Sequence, residues 1–263
     1  MTLARINFFA HIGRSVLALL GEIGRLTLFT FHAVTGIVRP PIYFQHIWRQ
    51  IMRIGYFSLP VVGLTAFFTG GALAVQIFTG GNRFGVETVV PQIVVLAVTR
   101  ELGPVIAGLM VSGRVGAAIA AEIGTMRVTE QIDALTTLAT NPIKYLVVPR
   151  LIAAFVSMPI LVAVGDIIGV FGAYVVSTET LGFTGGTYIK NTIDFMTSHD
   201  VTSGLIKAAV FGVIIALMGC YHGFHSKGGA QGVGRATTNA VVSSAILILA
   251  ANYLLTSLLF GIK

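Results

Sequence analysis

The sequence predicts an all-α integral membrane protein, on three observations of composition and patterning. Of its 263 residues, 55% are hydrophobic and only 10% are charged, whereas soluble domains carry about 25% charged residues. The mean hydropathy is +0.87, and several apolar runs reach the roughly 20 residues that a helix needs to cross a bilayer. The 31 glycines suit helices that approach one another closely in lipid. A soluble helical bundle is therefore disfavoured.

The N-terminal region, residues 1–54, is predicted to form helices that lie in the membrane interface. Residues 11–34 are apolar but carry a narrow polar stripe at helical spacing, which is typical of an interfacial amphipathic helix. A complete span is the alternative interpretation. The Arg-Pro-Pro sequence at 39–41 breaks this helix, and Tyr43 and Trp48 suit headgroup depth in a second short helix. The stripe consists of His11, Arg14, Glu22, Arg25 and His32.

The rest of the chain, residues 55–263, is predicted to form a domain of five transmembrane helices. Lys and Arg are concentrated before the first span, between the second and third, and between the fourth and fifth. The positive-inside rule places these segments, and the N-terminus, in the cytoplasm and the C-terminus outside. The predicted spans cover residues 55–79, 89–119, 147–177, 201–221 and 236–260.

Two adjacent charged residues, Arg100 and Glu101, lie within the second predicted span, near its middle. Charges inside a membrane usually face a protein interior or a water-filled cavity. Neighbouring residues point about 100° apart on a helix, so each of the two needs its own partner. Pro104 cannot donate a hydrogen bond to the carbonyl of residue 100 and favours a kink there. The pair is either a polar spot in the wall of a substrate cavity or part of an interhelical ion pair.

Two further charges lie in later predicted spans. Asp166 is in the outer half of the third span and Lys207 is near the outer side of the fourth. An ion pair between them would lower the free energy of burying both, and the long lysine side chain can bridge unequal depths. We expect this structural pair, with a proton relay as the alternative.

The segment 120–142 is predicted to form an amphipathic helix on the cytoplasmic side, about 122–140. It is too polar to be buried in lipid, and Ile132, Leu135 and Leu138 supply an apolar face. Such a helix either docks onto a protein partner or is a solvated connection. Its charged residues are Glu122, Arg127, Glu130 and Asp133.

Missing motifs exclude several functions. No G-x-x-x-x-G-K-[ST] is present, so the chain has no P-loop for ATP, and neither H-E-x-x-H nor G-x-S-x-G occurs. The six histidines are scattered without metal-ligand spacing, and we expect no metal site and no enzymatic activity. The net charge of +7 marks a cytoplasmic face rather than a nucleic-acid site.

The stretch "RELGPVIAGLMVSGRVGAAIAAEIGTMRVTEQIDAL", which begins at Arg100, resembles the central signature of the MlaE/YrbE permease family. The resemblance continues through "NPIKYLVVPR" and "GVGRATTNAVVSSAILILAANYLLTSLLFG" and covers about residues 45–261. Members of this family are membrane subunits of ABC transporters that move phospholipids between the inner and outer membranes of Gram-negative bacteria.

The resemblance implies a homodimer in the bacterial inner membrane that works with several partners. These are a dimer of cytoplasmic ABC ATPases, a periplasmic hexamer of MCE domains and a small STAS-domain protein. The ATPases would bind ATP and Mg, and this chain would bind no cofactor. The helix at about 122–140 would be the coupling helix that docks on the ATPase, with Gly124 among its residues.

By the same resemblance, Arg100 and Glu101 lie at a phospholipid cavity between the two protomers. The resemblance further implies wall residues Leu73, Gln76, Phe78 and Phe84. The function implied is ATP-driven phospholipid transport that maintains outer-membrane asymmetry, in a direction that the sequence does not reveal. The alternatives are an Mce-type importer permease for sterols or other hydrophobic compounds and an ion-coupled secondary transporter.

Overall fold

The structure is a computed structural model that describes residues 2–38, 40, 43–82 and 89–261. Within these ranges all regular structure is helical. The first three long helices are α1 (Thr2–Val38), α2 (Phe44–Ile54) and α3 (Leu59–Asn82), and the second predicted span consists of α4 (Val90–Ala97), α5 (Gly103–Val111) and α6 (Ala117–Val128). The remaining helices are α7 (Gln131–Thr137), α8 (Val148–Glu179), α9 (Gly185–Phe195), α10 (Ser198–Phe224) and α11 (Gly229–Phe260).

Short π-helical turns interrupt the long helices at three points. Val98–Leu102 joins α4 to α5, Ser112–Gly116 joins α5 to α6, and Ile143–Val147 precedes α8. A π turn accommodates an extra residue in a helix and is frequent at functional sites. The first of these turns contains Arg100 and Glu101, so it sets the direction in which both side chains leave the helix.

Six helical segments of the described chain are long and apolar enough to cross a membrane, so the chain is a multi-pass membrane protein. Five of them match the five predicted spans. The sixth, Val16–Ile37, belongs to the helix that the sequence placed in the interface. This helix contacts the bundle through Phe29, whose ring packs edge-on against Tyr221 at 5.7 Å between centroids.

Close contacts between glycines and the backbone of neighbouring helices hold the bundle together. At Gly70 of α3, an added Cβ would overlap with the carbonyl of Gly169 in α8, and at Gly172 it would overlap with that of Phe67. Gly212 of α10 is similarly close to Ala154 of α8, at 2.5 Å for the added Cβ. Small residues permit such approach in membrane bundles, where packing rather than the hydrophobic effect drives association.

The predicted helix at about 122–140 is not continuous, and the prediction is corrected here. α6 ends at Val128, Glu130 adopts a left-handed backbone conformation with φ 60°, and α7 begins at Gln131. An ion pair of 2.6 Å between Arg127 and Asp133 bridges the turn. The turn lets Ile132, which is 3% exposed, pack into the core of the bundle, whereas a straight helix would carry it away along the axis of α6.

Candidate functional site

The carbonyl of Arg100 lacks its usual helical partner because the residue four positions later is Pro104, which has no N–H. Lys207 of α10 fills this gap: its Nζ donates a hydrogen bond of 2.8 Å to the Arg100 carbonyl oxygen. Proline within the second span therefore creates the acceptor that a lysine from another helix satisfies. The side chain of Lys207 is completely buried.

A network of polar side chains surrounds the carboxylate of Glu101. Lys207 Nζ lies 2.8 Å from its Oε1, and Thr256 Oγ1 lies 3.0 Å from the same oxygen. Asn252 Nδ2 donates to Oε2 at 2.8 Å, and Lys207 also donates to Thr256 Oγ1 at 2.8 Å. The network joins the second span to α10 and α11. The Glu101 side chain nevertheless remains 37% exposed.

The predicted pair between Asp166 and Lys207 is not formed, and this prediction is corrected here. Lys207 is fully engaged by Glu101, Thr256 and the Arg100 carbonyl. Asp166 instead lies against Gly103, where its Oδ1 occupies the space that a Cβ would need. Among the described residues this buried oxygen has no hydrogen-bond partner. The vacant carbonyl at Arg100 explains why the lysine turns away from α8.

Arg100 forms a second, separate ion pair. Its Nε and Nη2 lie 2.6 and 2.5 Å from Asp200 Oδ1, and its guanidinium lies 4.5 Å from the centre of the Phe260 ring. Asp200 is 1% exposed and also accepts hydrogen bonds from Thr197, in a capping box that begins α10. The Arg100 side chain is 35% exposed. Because Asp200 engages Nε and Nη2, Nη1 is available to donate to a ligand.

The two adjacent charges thus have different partners, and both join the second span to other helices. The interhelical ion pairs that the sequence left as one alternative are present, and about a third of each side chain is still exposed. Four further residues of this site were not predicted from the sequence. The Thr-x-x-Asp spacing signals the start of α10, but nothing in the sequence links it to Arg100. The four residues are Asp200, Asn252, Thr256 and Phe260.

Two of the predicted wall residues on α3 pack against the first part of the second span. Leu73 and Phe78 pack against a small hydrophobic cluster that includes Val90, Val94 and Ala173. Gln76 is exposed on the same helix, and Phe84 lies outside the described residues.

At the opposite end of the bundle, Glu122 lies between two arginines. Its carboxylate is 2.9 Å from Arg150 of α8 and 3.2 Å from Arg53 of α2. Gly124, two residues further along, packs against Ser226, whose hydroxyl donates to its carbonyl at 3.2 Å. Glu122 and Gly124, two of the five predicted coupling residues, therefore contact parts of the chain outside the segment 120–142.

The two arginines at Glu122 are expected to differ in their effect on stability. Arg53 is 54% exposed, so replacing it with methionine is expected to lower the free energy of unfolding by less than about 1 kcal/mol. Arg150 is 5% exposed and also donates to the Leu146 carbonyl, so Arg150→Met is expected to lower it by about 2 kcal/mol. Thermal unfolding of the protein in mild detergent measures both, and equal effects would contradict the assignment.

The apolar helices and the ion pairs between them define the chain as a multi-pass membrane protein with a polar site inside its bundle. Comparison with known proteins gives the family. The profile "Permease MlaE" matches residues 47–258, and the chain belongs to this permease family.

Three relatives illustrate the range of similarity. A probable ABC transporter permease protein of Rickettsia bellii is 54% identical over 257 residues, which are 98% of this chain and 99% of the relative. The intermembrane phospholipid transport system permease protein MlaE of Haemophilus influenzae is 31% identical over 259 residues, 97% and 98% of the two chains. The chloroplastic protein TRIGALACTOSYLDIACYLGLYCEROL 1 of Arabidopsis thaliana is 37% identical over 227 residues, 86% of this chain and 65% of the relative.

Proposed function

We propose that the chain is the permease subunit of an ABC transporter that moves phospholipids between the inner and outer membranes. One observation carries the proposal: the ionic groups of Arg100 and Glu101, each about a third exposed, lie in a largely apolar helical bundle. A phospholipid needs an apolar wall for its acyl chains and a polar wall for its headgroup. Arg100 Nη1 supplies a cationic donor for a phosphate oxygen, and the name of the Haemophilus relative supports this class of substrate.

The substrate cavity is proposed to lie between two copies of the chain. α11 supports this arrangement, because only 11% of the residues in its most apolar stretch are buried within one protomer. Tyr253 and Leu254 on this helix are exposed beside Asn252, which contacts Glu101. A second copy packed against this face would close the polar site on one side, and Leu73, Gln76 and Phe78 of α3 would complete its wall.

ATP-driven closure is proposed to reach the permease through the segment from α6 to α8. Glu130 lies in the turn between α6 and α7, and the ion pair of Arg127 with Asp133 joins the two helices across it. Leu138, which follows α7 directly, is 74% exposed. A groove of about 670 Å³ runs along this segment and reaches Phe224 and His225. In this proposal an ABC ATPase dimer docks here and binds ATP and Mg, while the permease chain binds no cofactor.

The remaining assignments of the proposal follow from the family and from the charge distribution. The N-terminus is cytoplasmic and the C-terminus periplasmic, in the inner membrane of a bacterium. A periplasmic MCE-domain hexamer receives or delivers the lipid at the end where α10 begins, and a STAS-domain protein binds the ATPases. Transport of this kind would maintain the lipid asymmetry of the outer membrane.

Bound lipid tests the substrate assignment. We expect phospholipid to co-purify with the wild type in mild detergent. In an Arg100→Gln, Asp200→Asn double variant the amount of bound phospholipid is expected to fall by about tenfold, because a charge-assisted hydrogen bond to the lipid is lost. The double substitution removes both partners, so that no buried carboxylate is left unpaired. Lys190→Gln, an exposed change on α9, serves as the control. Recovery of sterol instead of phospholipid, or an unchanged phospholipid content, would contradict the proposal.

Docking of the ATPase is tested separately by a charge at the exposed apolar position. Leu138→Asp is expected to abolish co-purification of an ABC ATPase with the permease, because a carboxylate would be desolvated in the interface. Lys190→Asp, which introduces the same side chain on the short helix α9, is the control. Retention of the ATPase by the Leu138 variant would place its docking site elsewhere.

A further inference from the structure

A cavity of about 370 Å³ lies between α4, α8, α9 and α10, apart from the contacts of Arg100 and Glu101. Ligand pockets in proteins are commonly about 300–1,000 Å³. Its walls are apolar except for three side chains, which are Thr99, Thr192 and Asp166. The apolar part of the lining consists of Val95, Ala163, Ile167, Val170, Met196 and Val201.

Asp166 is the polar group of this cavity whose hydrogen-bonding capacity is unused. The hydroxyl of Thr99 donates to the Val95 carbonyl at 2.8 Å, and that of Thr192 donates to the Tyr188 carbonyl at 2.9 Å. Asp166 is 7% exposed, and its Oδ1 has no partner in the part of the chain that the structure describes. A buried carboxylate is strongly unfavourable unless a cation or hydrogen-bond donors meet it.

The cations nearest in the fold are not available to Asp166. Lys207 is held by Glu101, and Arg100 is held by Asp200. Gly103 has no side chain, and this leaves room for the Asp166 carboxyl against the second span. The arrangement places an acidic group at an apolar cavity with no cationic partner among the described residues.

A second cavity of about 350 Å³ adjoins the first along α8 and α9. Ile167, Val170 and Thr192 line both, and Phe171 and Ile189 extend the apolar surface. A ligand whose head meets Asp166 therefore has apolar space for a chain beside it. The shape and the single acidic group together specify a molecule with one cationic donor and one hydrocarbon tail.

We propose that Asp166 and these two joined cavities form a binding site for a single-chain amphiphile with a primary ammonium head group. The ammonium would donate to the Asp166 carboxylate, and the alkyl chain would lie between α8 and α9. The site lies within one protomer and does not depend on the phospholipid role of Arg100 and Glu101.

The test uses the full-length protein in phosphatidylcholine nanodiscs and radiolabelled dodecylamine as the probe. We expect saturable binding to the wild type, and an affinity about tenfold or more lower in Asp166→Asn, the factor for loss of a charge-assisted hydrogen bond. Asp194→Asn removes an exposed carboxylate from α9 and is expected to leave binding unchanged. Ala163→Phe fills the cavity while it keeps Asp166, and is expected to abolish saturable binding.

Two competitors distinguish the contribution of the head group to binding from that of the alkyl chain. Dodecanol lacks the charge and dodecyltrimethylammonium lacks the N–H donor, so each is expected to compete about tenfold more weakly than unlabelled dodecylamine. Equal competition by dodecanol would show that the cavity accepts any alkyl chain, including the acyl chain of a phospholipid, and would overturn the proposal. Unchanged binding in Asp166→Asn, or the absence of a saturable component in the wild type, would also overturn it.

Discussion

Replacing Gly70 with alanine is expected to prevent most of the protein from folding. An added Cβ at this position would overlap with the carbonyl oxygen of Gly169, which is part of the α8 backbone and cannot rotate away. Relief requires α3 and α8 to separate along their contact. Overpacking typically lowers the free energy of unfolding by about 1–3 kcal/mol, and we expect about 3 kcal/mol here because both sides of the contact are backbone. The measurement is the yield of monodisperse protein in mild detergent and its thermal unfolding temperature.

Gly80 provides a matched control on the same helix. Among the described residues, and apart from the adjacent residues and the local helix backbone, no atom lies within 4 Å of a Cβ added there. Gly80→Ala therefore introduces the same methyl group without a clash against another helix. Alanine favours a helix by about 1 kcal/mol over glycine, and the control is expected to be as stable as the wild type or slightly more stable. If Gly70→Ala folded as well as Gly80→Ala, the close contact between α3 and α8 would be refuted.

Lys207→Met is expected to have the second large effect. It removes the cation from the fully buried side of its pair with Glu101 and leaves the Arg100 carbonyl without a donor. Removing one partner of a buried pair lowers the free energy of unfolding by about 3–5 kcal/mol. Because Glu101 is 37% exposed, water partly solvates its unpaired carboxylate. We therefore expect the free energy of unfolding to fall by about 3 kcal/mol, at the low end of this range. The thermal unfolding temperature in detergent would fall accordingly.

A second substitution distinguishes the lost ion pair from lost packing. Adding Glu101→Gln to Lys207→Met removes the unpaired carboxylate, and the double variant is expected to regain part of the lost stability. Lys190→Met, at an exposed position on α9, is expected to change nothing. A double variant less stable than Lys207→Met would show that Glu101 stabilises the bundle through Asn252 and Thr256 rather than through the lysine.

The membrane spans were predictable because each is a long apolar run, a property of the local sequence that needs no knowledge of its neighbours. The second span carries Arg100 and Glu101 as predicted, and their adjacency correctly required separate partners. The division at residue 54 and the roles assigned to individual site residues remain predictions, since they concern a membrane and partners outside this chain.

The partners of the buried charges were not predictable in the same way. Asp166 and Lys207 are of opposite charge and at similar inferred depth, which made their pairing reasonable. The actual partner of Lys207 depends on the rotation of α10 relative to the second span, and on the acceptor that Pro104 leaves vacant. Both are properties of helix packing. The periodicity of the apolar residues likewise could not reveal the break at Glu130, because the break depends on packing against other helices. Burial of Ile132 against the bundle lowers the free energy by more than continuation of the helix would.

Lys207 supplies the hydrogen-bond donor that Pro104 cannot, and this has a consequence for how the second span moves. An ordinary helix curves only gently, because a sharp kink disrupts hydrogen bonds between its own amides and carbonyls. The carbonyl of Arg100 accepts its hydrogen bond from Lys207 instead. The second span can therefore bend at this point without breaking a hydrogen bond between its own amides and carbonyls. Any such bend changes the distance to α10, to which Arg100 is tied again through Asp200. The bend of the second span and the position of α10 are therefore coupled, so that one cannot change without the other. Residues 100 to 104 form the hinge of this movement.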